Sequence, residues 1–366
     1  MRDDILILMN ETMGWIDSSK VVAASQRSAR SRCLCNAEID SFIDKLPEPV
    51  QKWINTQGVE LALNLTLEWT SPHIPQHYFD LSYGLGNATG LGWHKVLTTS
   101  LFPELIKASC SMLGAWGSAT AGSDLGLVQL RALDWSTDSP MQQFPVLVTY
   151  HPTKGHTHSV LGWAGIMGAL TGMSSSGMGI SEKVWDHYTG VQNVEGYPFM
   201  FLLQDILWED NDTDQALSRV ATANRTCAIF MGIGDKGNNE FKALEYSYQT
   251  VNIYNDRNFP AYPPYHPLYN DLVFIDKHTQ PSQHMCFGSL MTKYYGQVSP
   301  ANIIKYVTAQ QQTGNTHAAV YDFANSLMYV ANASPWTKNG TVINAYEGQW
   351  IKMDMAKQWS LPAPSA

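Results

Sequence analysis

Apolar residues keep a helical period over the first 109 positions and change to a strand-like texture from Cys110 onward. Ile5, Leu8, Met9, Met13 and Ile16 recur at the spacing of one helix face. A second helix is predicted from Pro47 through Val50, Trp53, Ile54, Val59, Leu61 and Leu65 to Trp69. Pro47 and Pro49 stand near its start, and Pro72 follows its end. The glycine-rich run 84–92 then leads into an apolar helix around 96–106.

Beyond that point, 110–116, 125–133, 145–151 and 159–166 are short, rich in β-formers and separated by Gly, Asp, Ser and Pro. Segments 169–173 and 178–183 continue the pattern around a Gly/Ser turn. Segments 198–208 and 214–223 return to the helical period, the second capped by Asp212 or Thr213. Strands are predicted again at 226–232, 241–251, 272–276, 317–323 and 327–331, with a helix over 300–310 capped by Ser299. Helices and strands come in blocks, which predicts an α+β layered sandwich and not a βαβ repeat.

Composition narrows the class. Charged residues make up only 15% against 44% hydrophobic and 11% aromatic, which excludes a disordered chain or a coiled coil. The net charge of −9 leaves no basic surface for nucleic acid. Apolar runs such as 227–233 are strand-sized, too short to span a bilayer. Asn-x-Ser/Thr sequons occur at Asn10, Asn64, Asn87, Asn211, Asn224, Asn332 and Asn339. Chance would supply about three, so the excess predicts a glycoprotein of the secretory route, lysosomal or secreted. Met1-Arg2-Asp3-Asp4 and the short apolar stretch 5–9 lack a small-residue cleavage site, so a signal peptide is expected to be missing from this chain.

Three motifs have ordinary readings. Gly232, Gly234 and Gly237 match GxGxxG, but a strand follows where a nucleotide site needs a helix, so a hairpin turn is predicted. His151, His156 and His158 lack a carboxylate at ligand spacing, so no metal site and no cofactor are expected. Ser174, Ser175 and Ser176 do not form GxSxG and read as a tight turn. Cys33 and Cys35 form CxC, too close to bridge each other without strain. An odd set of five cysteines, with Cys110, Cys227 and Cys286, leaves at least one thiol unpaired.

The informative stretch is Ser109-Cys110-Ser111-Met112-Leu113, then Gln129-Leu130-Arg131-Ala132-Leu133-Asp134-Trp135. Arg131 and Asp134 in an apolar strand are costly unless paired or employed, and a cation near a thiol raises its thiolate fraction. Together with Thr171-Gly172-Met173-Ser174-Ser175-Ser176-Gly177 and the following Met178 to Glu182, this pattern resembles the N-terminal-nucleophile hydrolases of the acid ceramidase, N-acylethanolamine acid amidase and penicillin acyltransferase group. The acid-ceramidase-like proteins are the most similar.

The resemblance implies a four-layer αββα sandwich with a mostly helical N-terminal region. It implies autocleavage between Ser109 and Cys110, giving a small chain 1–109 and a catalytic large chain 110–366. Cys110 matches the nucleophile. Arg131 and Asp134 match the family's Arg and Asp, with Ala132 in place of an Asn. Ser174 stands where an oxyanion-hole Asn occurs in bile salt hydrolases, and His278 near the place of the later Asn. The implied substrate is a lipid amide of ceramide or N-acylethanolamine type, at acidic pH, met at lipid surfaces. An esterase or phospholipase of the same superfamily and a silent lipid-binding glycoprotein are the alternatives.

Two expectations concern geometry. Residues three apart on a regular strand face opposite ways, so Arg131 and Asp134 both reach Cys110 only if the strand bulges or ends between them. The two chains are expected to stay joined by a disulfide from Cys33 or Cys35 to Cys286. Trp53, Leu61, Leu63, Leu65, Trp69, Leu101 and Leu105 are read first as core, second as a wall for an acyl chain.

Overall fold

The computed structural model describes residues 59–105, 108–135, 140–334 and 342–363. Its first strands are β1 (Ser109–Ala115), β2 (Val128–Asp134), β3 (Pro145–Tyr150), β4 (His158–Trp163), β5 (Gly172–Ser174) and β6 (Met178–Val184). They are followed by β7 (Ala228–Asp235), β8 (Glu240–Ser247), β9 (Val251–Tyr254), β10 (Leu272–Ile275), β11 (His317–Asp322), β12 (Leu327–Asn332) and β13 (Ile351–Asp354). One sheet has the order β10-β1-β2-β11-β12-β13 and the other β3-β4-β5-β6-β7-β8-β9. Every strand pairing in both is antiparallel.

Alternation along the strands assigns the layers. Met112, Ile275 and Tyr321 of the first sheet meet Met173, Phe230 and Phe241 of the second between the sheets. Leu113, Leu130 and Val320 face the other way, against Phe287, Leu290 and Met291 of a helix spanning Met285–Tyr294. On the far side of the second sheet, Ile180, Met231 and Ile233 pack on Phe201, Leu202 and Ile206 of the helix Phe199–Glu209. The order of layers is therefore helix, sheet, sheet, helix: an α+β sandwich. The sheets approach closely enough that a Cβ on Gly114 would lie 2.0 Å from Phe241, so only glycine fits there.

Among the described residues, four α-helices precede β1: α1 (Val59–Thr70), α2 (Gln76–Thr89), α3 (Trp93–Ser100) and α4 (Phe102–Leu105). Their Leu63, Leu67, Tyr78, Val96, Leu97 and Leu101 join the core beneath the second sheet, so the apolar face of this region is packing. Trp53 lies outside the described residues, as do Cys33 and Cys35.

The glycine-rich run is not a linker. Helix α2 passes through Gly84 and Gly86 and stops at Gly90, whose φ is 78°. Gly86 is required inside the helix because a Cβ there would sit 2.5 Å from the Trp93 nitrogen. Segment 241–251 divides into β8 and β9 around a turn, with Ser247 N accepted by Thr250 O at 2.8 Å. Of the three glycines read as a hairpin turn, Gly237 falls in the turn to β8, whereas Gly232 and Gly234 lie within β7, paired with Ala243 and Phe241. The helix Met285–Tyr294 and strand β13 were not legible from period.

Candidate active site

Strands β1 and β2 pair with Cys110 opposite Leu133, Met112 opposite Arg131, and Ser109 opposite Asp134. Cys110 and Arg131 both point between the sheets and both are fully buried. Arg131 donates from Nη1 to Cys110 Sγ at 3.4 Å, from Nη2 to Glu182 Oε2 at 3.0 Å and from Nε to the Leu170 carbonyl at 3.2 Å. The thiol leans back toward the preceding segment, with the Ala108 carbonyl at 3.7 Å and Glu182 Oε2 at 4.0 Å.

Glu182 reaches this cluster because of a gap in the second sheet. Strand β5 pairs with β6 only at Gly172↔Ile180 and Met173↔Gly179, so no β5 neighbour stands beside Glu182. Glu182 was not singled out from sequence. A charged pair, Glu182-Lys183, inside an otherwise apolar strand was the available signal, the same one that marked Arg131.

Burial pushes the Cys110 thiol up to about 12, against the downward pull of Arg131. Burial also raises the Glu182 carboxyl, opposed by Arg131. Cys110 is therefore a thiol here, not a thiolate.

Asp134 lies on the opposite face of β2, which runs on without a bulge. Its carboxylate accepts from Thr313 Oγ1 at 2.6 Å, Gly314 N at 2.9 Å and Asn315 N at 3.1 Å. Thr313 Oγ1 also meets Ser111 Oγ at 2.7 Å. Asp134 thus does not touch the thiol side. It faces Ser109 across the ladder, within a strand spacing of the Ser109–Cys110 peptide bond.

Ser174 is placed elsewhere. It sits at the far end of β5 from Leu170, and its hydroxyl accepts from Ser176 N at 3.3 Å and Ser176 Oγ at 3.1 Å. The turn consumes it, and it is not brought to Cys110. His278 follows β10, with Nδ1 at 3.3 Å from Asp276 Oδ2 and its ring stacked on His284 at 3.4 Å. Its contacts are with that loop and not with Cys110.

Beside the thiol lies a narrow, partly open apolar cleft of about 40 Å³. Leu133, Trp135, Trp163, Ile166, Leu170 and Val184 wall it, Phe102, Pro103 and Ala108 close it from the pre-cleavage side, and Glu182 is its one charged lining residue.

The two sides of the cleavage point are tied without a disulfide in the described residues. Cys286 is unbridged among the described residues, and Cys33 and Cys35, from which a link to it was expected, lie outside them. Polar contacts join the two sides. Tyr78 donates to the Phe201 carbonyl at 2.9 Å and to Asp205 at 2.7 Å. Glu104 accepts from Phe199 N at 2.7 Å, Thr226 Oγ1 at 3.1 Å and Cys227 Sγ at 3.0 Å.

Burial raises the Glu104 carboxyl to about 7. A carboxyl raised on folding contributes stability that is full below its unfolded value and is lost as pH rises through about 7. The melting temperature of the wild type is therefore expected to fall between pH 5 and 8, the loss being at most about 3 kcal/mol. Glu104→Gln should flatten that dependence in a calorimetric pH series, and an unchanged slope would refute the assignment.

Of the sequons, Asn87, Asn211 and Asn224 are exposed, Asn64 and Asn332 are half-buried, and Asn10 and Asn339 lie outside the described residues. The Asn224 amide already donates to the Glu195 carbonyl at 2.7 Å. No described helix is long and apolar enough to cross a membrane.

No family model matches the chain. Among solved structures, the Caenorhabditis elegans ortholog of N-acylethanolamine-hydrolyzing acid amidase is 14% identical with a TM-score of 0.44, covering 58% of this chain and 93% of that one. Penicillin V acylase from Agrobacterium tumefaciens is 10% identical with a TM-score of 0.42, covering 68% and 87%. Likenesses so distant decide nothing about activity. Sequence relatives are nearer. Protein dcd1B of Dictyostelium discoideum is 38% identical over 341 residues, 88% of this chain and 67% of that protein. Protein dcd1A of the same organism is 39% identical over 340 residues, 88% of this chain and 76% of that one. With that identity over that length, the chain belongs to the dcd1 protein family.

Proposed function

We propose that the chain is a self-processing amide hydrolase whose nucleophile is Cys110 and whose substrates are N-acylated lipids. One observation carries this reading: a thiol at the start of a strand, held by a buried guanidinium, stands at the side of an apolar cleft.

The chemistry follows from the residue types. Cys110 Sγ adds to the Ser109 carbonyl carbon, and the C–N bond breaks as the nitrogen takes the thiol proton. Water then cleaves the resulting thioester and frees both the Ser109 carboxylate and the Cys110 thiol. The new α-amino group, titrating near pH 8 in water, is a base within reach of its own thiol. In turnover the thiol proton passes to that amine and then to the leaving amine of the substrate. The acyl group rests on sulfur until water releases it. Asp134, opposite Ser109, is the group that would orient the freed amine. Arg131 sets the thiol's direction.

The cleft suits an acyl chain because its lining is almost wholly apolar. Ile166→Trp is expected to shorten it, lowering kcat/KM on long-chain N-acylethanolamines about tenfold or more and sparing short-chain ones. Assays of processed protein on N-acylethanolamines, ceramides and phospholipid esters from acidic to mildly alkaline pH test the reading. Turnover of esters alone would assign a phospholipase. A chain that stays uncut and turns over nothing would be a silent lipid binder, which the fully buried thiol of the uncut chain would also fit.

A further inference from the structure

Lys183 follows Glu182 on β6 but points the other way, between the sheets, paired across the ladder with Phe230 of the inter-sheet core. It is 0% exposed. An ammonium has three N–H donors. Among the described residues, Lys183 Nζ uses one on the Lys277 carbonyl at 3.3 Å and lies 3.9 Å from Asp186, beyond hydrogen-bond range. Such a charge is expensive to bury with so little compensation, which marks it as a group with donors held for another acceptor.

Its position relative to the nucleophile follows from register. Strands β1 and β10 pair Met112 with Ile275, so Lys277, two residues past the end of β10, leaves the ladder on the side toward Cys110. Lys183 Nζ, bonded to that carbonyl, approaches the thiol from the β10 flank while Arg131 approaches from the β2 flank. The pull of Lys183 on the Cys110 thiol is downward, like that of Arg131. Among the described residues, neither neighbour named at the site as an alternative supplies such a donor. The Ser174 hydroxyl is spent in its turn, and Asp276, next to Lys277, is a carboxylate bonded to Ser282 at 2.6 Å.

We infer that Lys183 is a further catalytic residue, whose ammonium holds the oxyanion formed when Cys110 Sγ adds to a substrate acyl carbonyl. The inference rests on the amidase reading. As the C–S bond forms, the carbonyl π pair moves onto oxygen and meets the free N–H donors. As the C–N bond breaks, the pair returns and the amine leaves with the proton from sulfur. Lys183 stays charged throughout.

The test compares Lys183→Met and Lys183→Arg with wild type, using the processed protein and a fluorogenic N-acyl aminocoumarin amide. Lys183→Met is expected to lower kcat about 100-fold with little change in KM, and Lys183→Arg to keep most of the rate. A Lys183→Met kcat within threefold of wild type overturns the assignment, and so does an equal loss in both variants. A second readout needs no turnover: the pH profile of Cys110 alkylation by iodoacetamide. In Lys183→Met it should move up by about one pH unit. If wild type hydrolyses no amide, the amidase reading fails. An unmoved alkylation profile overturns the placement of Lys183 itself.

Discussion

Cys110→Ala is expected to leave one full-length chain where the wild type divides into polypeptides of about 12 and about 29 kDa, glycans apart. In the proposed reading the thiol makes that cut. It sits immediately after the scissile carbonyl, leans back to 3.7 Å from the Ala108 carbonyl and is steered by Arg131. Removing sulfur removes both self-cleavage and turnover, while the methyl of alanine still fills part of the same buried space, so the fold should persist. Cys110→Ser separates the two effects, because an oxygen nucleophile can still perform the shift, more slowly. Intact-mass measurement after expression in a secreting cell reads all three. Recovery of cleaved Cys110→Ala protein with the same termini would end the self-processing reading. After cleavage the wild-type pieces should co-elute with or without reductant. Tyr78, with its bonds to Phe201 and Asp205, and Glu104, with its bonds to Phe199 and Thr226, join them without cysteine.

The strands were legible because each is short, alternating and bounded by turn residues. The period of β1 and β2 alone puts Cys110 and Arg131 on one face and Asp134 on the other. That parity was read correctly as an obstacle, and the structure resolves it by keeping Asp134 on the far face with Thr313. Glu182 was illegible in role because its contact with Arg131 depends on where β5 begins, a matter of pairing between strands and not of local sequence. Ser174 was read from the place of an oxyanion-hole Asn in bile salt hydrolases, and its hydroxyl is bonded within its own turn to Ser176. Gly84 and Gly86 read as a break because propensity disfavours glycine in helices, whereas the close approach of Trp93 demands it.

Arg131→Met should be the most destabilising single change near the site, by about 3–5 kcal/mol at neutral pH. The guanidinium is 0% exposed and its partner Glu182 is 2% exposed, so neither can recover water when the other is lost. The cost comes from the carboxylate left behind. Glu182 is already raised by burial with only Arg131 and Lys183 opposing, and without Arg131 it rises further. A carboxyl raised in the folded state leaves stability intact at low pH and removes it as pH climbs through the folded value. The melting gap between Arg131→Met and wild type should therefore be small near pH 5 and wide near pH 8. The double variant Arg131→Met/Glu182→Met removes both charges and should recover most of the stability at every pH, since an apolar pair of similar volume replaces a buried ion pair at little cost. It should not recover processing, because the thiol has lost the N–H donor at 3.4 Å that aims it. Calorimetry and gel analysis on the same samples separate the two roles. A double variant that still cleaves would show that Arg131 serves the fold alone, and a pH-independent gap would show that Glu182 is not the group left uncompensated.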